Sequence, residues 1–205
     1  MTAMKPDPLV CIIDDDEAIR ESLRLLLYAG ELNSVGYESA DAYLADAEPP
    51  AFDCMLLDIR MPGTDGMELF AELMRRQVAW PVIFITGHGD IPLAVSAIKK
   101  GAFDFLTKPF REGELLDKVQ SAIRHYRQRQ EGLLRLQEIQ QRADACTPRE
   151  RDVMELLAEG LSNKGIAESL GISPRTVEIH RAHVMEKMDA DSLPTLVRMV
   201  SELKN

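Results

Sequence analysis

The stretch that decides the fold is Cys54-Met-Leu-Leu-Asp58-Ile-Arg-Met-Pro62-Gly63. Its first four residues are apolar, and so short an apolar run is typical of a buried strand in a parallel sheet. Asp58 ends the run, and Pro62-Gly63 then predicts a turn. Because ligands of open α/β sheets bind outside the carboxyl ends of the strands, a carboxylate at this position is a candidate for chemistry. The alternative is that Asp58 simply begins a turn, as Asp often does.

Four further apolar runs alternate with helical patterns across residues 9–123. These runs end at Ile13, near Tyr37, at Thr86 and at Leu106, and each is followed by residues with helical spacing. Strands that alternate with amphipathic helices predict an α/β fold with a doubly wound five-stranded parallel sheet.

Polar side chains follow these predicted strands at the edge of the sheet where their carboxyl ends meet. Asp14 and Asp15 follow the first strand, Asp58 the third, Thr86 the fourth and Lys108 the fifth. Three converging carboxylates need a cation between them, and hard oxygen ligands suit Mg²⁺. A hydroxyl and an ammonium beside that cation form a cradle for phosphoryl oxygens, and a carboxylate can act as the nucleophile. Taken singly, the acidic run could be a helix cap and Lys108 a solvated lysine.

The last third of the chain predicts a four-helix domain with a helix-turn-helix. Thr147-Pro-Arg-Glu150 has the pattern of a capping box with proline at the first helical position. Ser162 is placed to cap a second helix, Ser173 a third after the tight turn at Gly171, and Ser192 a fourth. Two short helices joined by such a turn are typical of DNA-binding proteins, although a helical protein-docking domain is the alternative.

The angular positions along the third helix of this domain separate an inward from an outward face. Val177, Val184 and Met188 face inward together with His180 and Arg181, and we interpret His180 as a packed core histidine rather than a metal ligand or catalytic group. Outward small and polar groups can reach base edges, while basic groups beside them can reach phosphates. The predicted DNA contacts are Lys164, Ser173, Arg175, Thr176, Glu178, Ile179, Arg181, Ala182, His183 and Lys187.

Residues 124–146 lie between the two predicted domains, 9–123 and 147–205. They contain no proline, so a helix continuing the last helix of the first domain is expected. A heptad-like seam runs through the segment but fails at two of its seven positions. The segment is therefore either a solvated helical connector or a coiled coil.

The composition is that of an ordinary globular protein and limits the partners. The net charge of −10 is concentrated in residues 1–123, so any contact with nucleic acid must come from local basic groups in the last third. Three cysteines at unrelated spacings predict reduced thiols rather than disulfides. No apolar stretch is long enough for a membrane span, and the N-terminus lacks signal-peptide features, which predicts a cytoplasmic protein without a membrane partner.

The pattern Asp14-Asp15, Asp58, Thr86 and Lys108-Pro109 resembles the flavodoxin-like receiver domain of bacterial response regulators. The stretch Thr86-Gly-His-Gly-Asp-Ile-Pro-Leu-Ala-Val is similar to the FixJ branch of that family. The resemblance implies that Asp58 accepts a phosphoryl group from a sensor histidine kinase. It also implies that Asp15, Asp58 and the Arg60 main-chain carbonyl bind Mg²⁺ directly and that Asp14 acts through water. Lys108 would pair with the phosphoryl group. Thr86 and Phe105 would be the switch residues, moving in response to phosphorylation.

The motifs Thr147-Pro-Arg-Glu-Arg, Leu161-Ser-Asn-Lys-Gly-Ile-Ala and Ile172-Ser-Pro-Arg-Thr-Val-Glu resemble the LuxR-type DNA-binding domain. Together the two resemblances imply a two-component response regulator of the FixJ/NarL class. Such a protein would dimerise when phosphorylated, bind double-stranded promoter DNA and act on RNA polymerase. It would not be an enzyme beyond phosphorylation and dephosphorylation of its own Asp58.

Two alternatives to this interpretation remain open. A Mg²⁺-dependent phosphatase could use Asp58 as its nucleophile, but such enzymes need an acidic residue two positions later, where this chain has Arg60. A phosphorylation-independent regulator could use the first domain only as a dimerisation platform, and the intact acidic pattern argues against it.

Overall fold

The computed structural model describes residues 7–87 and 91–204. The chain divides into two compact units, Met1–Arg129 and Gln130–Asn205. The division falls inside a single helix, and each unit is described by itself.

The first unit has the predicted architecture of a five-stranded, all-parallel sheet with strand order β2-β1-β3-β4-β5. The strands are β1 Leu9–Ile13, β2 Asn33–Tyr37, β3 Cys54–Asp58, β4 Val82–Thr86 and β5 Asp104–Thr107. The helices that alternate with them are α1 Glu17–Ala29, α2 Ala40–Ala45, α3 Gly66–Arg75, α4 Ile91–Lys99 and α5 Glu112–Asp144. The predicted doubly wound sheet is confirmed.

The sheet separates two apolar cores, one on each face. Alternate residues of a strand point to opposite faces, so Met55 and Leu57 of β3 join one core while Cys54 and Leu56 join the other. Every residue of β3 and β4 is buried. These strands therefore read as continuous apolar runs in the sequence, because no position along them faces water.

Gly66 allows α3 to begin directly against the end of β3. A Cβ atom at Gly66 would lie 2.0 Å from the Asp58 main-chain oxygen, so no side chain fits there. Asp65 caps α3 in a capping box with Glu68. The close approach fixes the backbone from Asp58 to Gly66, which is the loop that carries Arg60.

Helix α5, Glu112–Asp144, includes most of the segment predicted to be a helical connector. Its last turns belong to the second unit, because Ile139 and Ala143 are buried in that unit's core together with Cys146. Leu133, Leu134 and Leu136, one to two turns earlier, are exposed. The connector is thus solvated in part and packed in part.

The second unit continues with four helices, α6 Pro148–Ala158, α7 Asn163–Leu170, α8 Pro174–Lys187 and α9 Leu193–Lys204. The predicted caps form: Thr147 and Glu150 make a capping box, and Ser162 and Ser173 each accept a bond from a main-chain N–H of the helix that follows. Gly171 has a φ of +66°, the left-handed conformation that closes the turn between α7 and α8. This is the predicted helix-turn-helix.

Candidate phosphoacceptor site and nucleic-acid interface

Three predicted site residues meet at the carboxyl ends of β1, β3 and β5. Lys108 Nζ lies 2.8 Å from Asp14 Oδ2 and 2.9 Å from Asp58 Oδ1. Asp14 is 1% exposed and Asp58 7% exposed. One ammonium therefore bridges two carboxylates that are almost withdrawn from water.

The remaining oxygens of these carboxylates are held by main-chain N–H groups. Asp14 Oδ1 accepts a bond from the Asp16 N–H at 3.0 Å, and Asp58 Oδ2 accepts one from the Arg60 N–H at 2.9 Å. Arg20 of α1 fixes the same loop by donating to the main-chain oxygens of Asp14 and Asp15, at 2.8 and 3.0 Å. Sequence reasoning missed Arg20, because nothing in its helical pattern indicates that it reaches back to the loop.

The electrostatics of the cluster favour a cation. Burial raises the pKa of Asp58 above its ordinary value and the neighbouring Asp14 adds to the rise, while Lys108 and the Arg60 N–H oppose it. Burial alone lowers the pKa of Lys108, but its bonds to Asp14 and Asp58 outweigh burial and raise that pKa overall. Two buried carboxylates and one ammonium leave a net negative charge, which a further cation would neutralise.

The donor chemistry of the cluster fits Mg²⁺, which prefers carboxylate and carbonyl oxygens and keeps several waters. Asp15, predicted as a ligand, lies at the same edge of the sheet and is exposed. Within residues 7–87 and 91–204, no three His, Cys, Asp or Glu side chains are already arranged as a metal-binding group. Lys108 instead holds one oxygen of Asp14 and one of Asp58.

The two predicted switch residues lie on neighbouring strands. Thr86, at the end of β4, is fully buried, and its hydroxyl donates to the Gly87 main-chain oxygen at 3.1 Å. Phe105 of β5 is partly buried against the core. Residues 88–90, which form part of the FixJ-like stretch, lie outside the described residues.

Helix α8 has the inward and outward faces that its sequence predicts. Val177, Val184 and Met188 are buried in the core of the second unit. The outward residues Arg175, Glu178, Ile179 and Ala182 are exposed, as are Lys164 of α7 and His183. Ile179 is 48% exposed, so this face also offers an apolar side chain for contact with a partner.

Five of the predicted DNA contacts, Ser173, Arg175, Thr176, Glu178 and Arg181, also make bonds within the domain. Arg175 pairs with Glu178 at 3.1 Å, and Arg181 donates to the Asn163 amide oxygen at 3.3 Å. Ser173 accepts the Thr176 N–H at 3.1 Å as the cap of α8. His180 faces inward and is partly buried, and its Nδ1 is buried without a hydrogen-bond partner among the described residues.

Glu150 connects the start of α6 to α8, the recognition helix of the predicted DNA interface. It is 4% exposed, accepts the Thr147 N–H at 2.8 Å, and binds Lys187 Nζ at 2.5 Å. His183 Nδ1 lies 3.3 Å from its other oxygen. The bond from Lys187, followed by that from the Thr147 N–H, lowers the pKa of Glu150 to about 2. The sequence indicated only the capping role of Glu150.

No described helix combines the length and apolar character needed to cross a bilayer.

The family described as "Response regulator receiver domain" matches residues 10–120, and that described as "Bacterial regulatory proteins, luxR family" matches residues 144–200. The two matches cover most of each unit.

Individual relatives match along nearly their whole length. The transcriptional regulatory protein FixJ of Bradyrhizobium diazoefficiens is 45% identical over 190 residues, which is 93% of each chain. The structure of the response regulator StyR has a TM-score of 0.84 and 38% identity, covering 96% of this chain and 99% of that one. Full-length FixJ from B. japonicum has a TM-score of 0.63 and 43% identity, covering 98% of both chains.

The acidic site at the sheet edge, the helix-turn-helix and these full-length matches agree. A receiver domain joined to a DNA-binding domain implies a kinase as one partner and DNA as the other. The chain belongs to the FixJ-type two-component response regulators, which are phosphorylation-dependent, DNA-binding regulators of transcription.

Proposed function

We propose that Asp58 is the phosphoacceptor and that a sensor histidine kinase supplies its phosphoryl group. The observation that carries this proposal is the bridge of Lys108 between Asp58 and Asp14. The ammonium is placed to balance charge on a phosphoryl group attached at Asp58. Attack by a carboxylate oxygen on the phosphorus of phosphohistidine forms an acyl phosphate and releases the imidazole.

Asp15, Asp58 and the Arg60 main-chain carbonyl would hold Mg²⁺, with Asp14 acting through water. The metal ion would supply charge neutralisation for the phosphoryl oxygens. Arg20 supports this arrangement by fixing the main chain at Asp14 and Asp15. The proposal also requires Lys108 to change partners, because it occupies one oxygen of each buried carboxylate in this structure.

Phosphorylation would act on the rest of the receiver through charge. A phosphoryl group adds about −1.5 to −2 charges at neutral pH. To bond it, the Thr86 hydroxyl must leave the Gly87 main-chain oxygen, and movement of Thr86 would free space for Phe105 to rotate. We propose that this change favours a homodimer, with a coupling of roughly 1–3 kcal/mol between phosphorylation and association.

The dimer would bind double-stranded promoter DNA through α8 and act in the cytoplasm on RNA polymerase. In this proposal the receiver comprises residues 9–123, the connector 124–146 and the DNA-binding domain 147–205. The exposed outward face of α8 supports readout of base edges. Two recognition helices related by a two-fold axis imply half-sites about one helical turn apart.

The test is to incubate the full chain with Mg²⁺ and acetyl phosphate, a small phosphoryl donor, and to measure intact mass. We expect wild type to gain one phosphoryl group and Asp58→Asn to gain none. Asp65→Asn is the matched control, because Asn caps a helix as well as Asp does and Asp65 lies outside the cluster. Phosphorylation of Asp58→Asn at wild-type level would refute the assignment.

The same variants then test the regulatory step. Sedimentation with Mg²⁺ and beryllofluoride, a mimic of the phosphoryl group, should convert wild type and Asp65→Asn to dimers and leave Asp58→Asn unchanged. The affinity for DNA should rise in the variants that dimerise and stay unchanged in Asp58→Asn. Equal association with and without beryllofluoride would instead support a regulator that works independently of phosphorylation.

A further inference from the structure

The connector helix reaches the end of the recognition helix through one side chain, Arg142. Its Nη1 donates to the Met188 main-chain oxygen at 3.2 Å, and its Nη2 lies 3.4 Å from a carboxylate oxygen of Asp189. Met188 is the residue that caps the C-terminal end of α8. One guanidinium therefore contacts both residues at which the recognition helix ends.

This end of α8 needs such a partner. The last carbonyl groups of a helix have no intrahelical donor, and a cation there also interacts favourably with the helix dipole. Asp189 has a φ of +51°, in the left-handed region that few L-residues other than Asn and Asp adopt. Arg142 bonds the carbonyl on one side of this turn and pairs with the side chain that occupies it.

The helix that carries Arg142 is itself fixed in the same core. Ile139 and Ala143 flank Arg142 on α5 and are 2% and 5% exposed. They belong to one buried cluster with Val184 and Met188 of α8. Packing thus fixes the main chain of α5 beside Arg142, and the bond from the guanidinium to the Met188 carbonyl links that helix to the end of α8.

We propose that Arg142 is a positioning residue for DNA recognition, and that the last two turns of α5 are part of the DNA-reading unit. Arg142 fixes the C-terminal end of α8, which sets the direction in which the exposed residues of its outward face point. The proposal rests on the proposed function, in which α8 reads base edges. It adds that sequence discrimination depends on a residue of the connector helix that need not touch DNA.

A cap that only stabilises the domain makes a different prediction. Losing such a cap lowers the melting temperature and weakens binding to every DNA sequence in the same proportion. Losing a positioning residue misaligns base contacts, while phosphate contacts, which carry no sequence information, tolerate the change. The ratio of affinities for specific and scrambled DNA distinguishes the two roles.

The experiment uses the full chain with Mg²⁺ and beryllofluoride. The specific probe is a duplex enriched by the wild-type chain from a random-sequence pool, and the second probe is a scrambled duplex of equal composition. Arg142→Met should lower the specificity ratio about tenfold, the effect of one mismatched base pair, with binding to the scrambled duplex nearly unchanged. Arg142→Lys should recover part of the ratio, because an ammonium can still donate to the Met188 carbonyl.

Two further variants keep the result interpretable. Arg149→Met is the control for loss of one positive charge, because Arg149 is exposed and pairs only within α6, with Asp152 at 3.2 Å, among the described contacts; its ratio should equal that of wild type. Asp189→Asn removes the ion pair but keeps a residue that tolerates positive φ. Because the Asp189 side chain is 80% exposed, that pair contributes little, and the ratio of this variant should stay near that of wild type. Equal losses on both duplexes in Arg142→Met, or in Arg142→Lys if Arg142→Met does not fold, would overturn the positioning role alone. A wild-type chain that enriches no sequence would overturn the proposed function itself.

Discussion

Replacing Lys108 with methionine tests the charge balance on which the acidic site depends. The change removes the ammonium from Asp14 and Asp58, whose side chains are 2% and 9% exposed, and leaves two buried carboxylates facing each other. Removing one partner of a buried ion pair costs about 3–5 kcal/mol. The Lys108 side chain is itself 26% exposed, so solvent screens part of the interaction, and we expect a loss of about 2–3 kcal/mol at pH 7.

Lys118→Met is the matched control. The Lys118 side chain is 25% exposed, almost the same as that of Lys108, but its partner Asp104 is 34% exposed. Because an ion pair whose two side chains are both partly exposed to water contributes little to stability, this variant should lose less than about 1 kcal/mol of unfolding free energy. The two lysines differ mainly in how deeply their carboxylate partners are buried.

Urea unfolding followed by tryptophan fluorescence gives a clean measurement. The chain has one tryptophan, Trp80, and it packs against the core of the first unit, so its signal reports the unfolding of the receiver. The unfolding free energies of wild type, Lys108→Met and Lys118→Met are to be compared between pH 7 and pH 5, with and without Mg²⁺.

The pH dependence carries the sharper prediction. The pKa of Asp58 is already raised by burial, and loss of Lys108 raises it further. A raised folded-state pKa means that the folded state binds the proton more tightly than the unfolded state, so stability is regained as the pH falls through that pKa. The deficit of Lys108→Met relative to wild type should therefore shrink towards pH 5, and Mg²⁺ should reduce it at pH 7. Two results would refute the reasoning. One is equal stability of the two lysine variants, and the other is a stability deficit of Lys108→Met that changes with neither pH nor Mg²⁺.

Three other predictions concern stability. Gly66→Ala should destabilise the receiver by about 2 kcal/mol or more, because the new Cβ would lie 2.0 Å from the Asp58 main-chain oxygen. Gly165→Ala in α7 meets only ordinary contacts and should stabilise its unit by about 0.5–1 kcal/mol. Urea titrations monitored by circular dichroism compare the two variants. Since the pKa of Glu150 is lowered to about 2, the second unit should lose stability as the pH falls below the ordinary carboxyl value, and Glu150→Gln should lack this loss in hydrogen-exchange measurements. Ile139→Ala should cost the second unit about 2–4 kcal/mol by the same measurement, and no loss would mean that the end of the connector is not part of its core.

The features that could be predicted from sequence are those that depend on neighbours along the chain. Strand β3 was identifiable because it is buried on both faces and so appears as an uninterrupted apolar run. The caps at Thr147, Ser162 and Ser173 were identifiable because a cap and the N–H group it accepts are three residues apart. The convergence of Asp14, Asp58 and Lys108 followed from a topological rule for parallel sheets rather than from any local pattern.

The features that escaped prediction are bonds between side chains and distant main-chain or carboxylate groups. Arg20 and Arg142 have unremarkable positions in their helical patterns, and Glu150 was predicted only as part of a capping box. The distant partners of all three are determined only when elements pack. The connector shows the same limit. Its heptad-like seam follows one stripe of α5, whereas Ile139 and Ala143 pack in an intramolecular core that also includes residues of α6 and α8.

The two halves of α8 differ in their contacts with the rest of the domain. Its C-terminal half is bonded to other helices: Arg142 of α5 donates to the Met188 carbonyl, and Lys187 donates to Glu150 of α6. Its N-terminal half presents Arg175 to water, with only a local pair to Glu178 at 3.1 Å. A DNA phosphate that binds Lys187 must compete with the buried carboxylate of Glu150. A phosphate that binds Arg175 displaces only the exposed pair with Glu178, which contributes little to stability. Readout of DNA should therefore concentrate in the first half of α8, and the second half should serve to orient it.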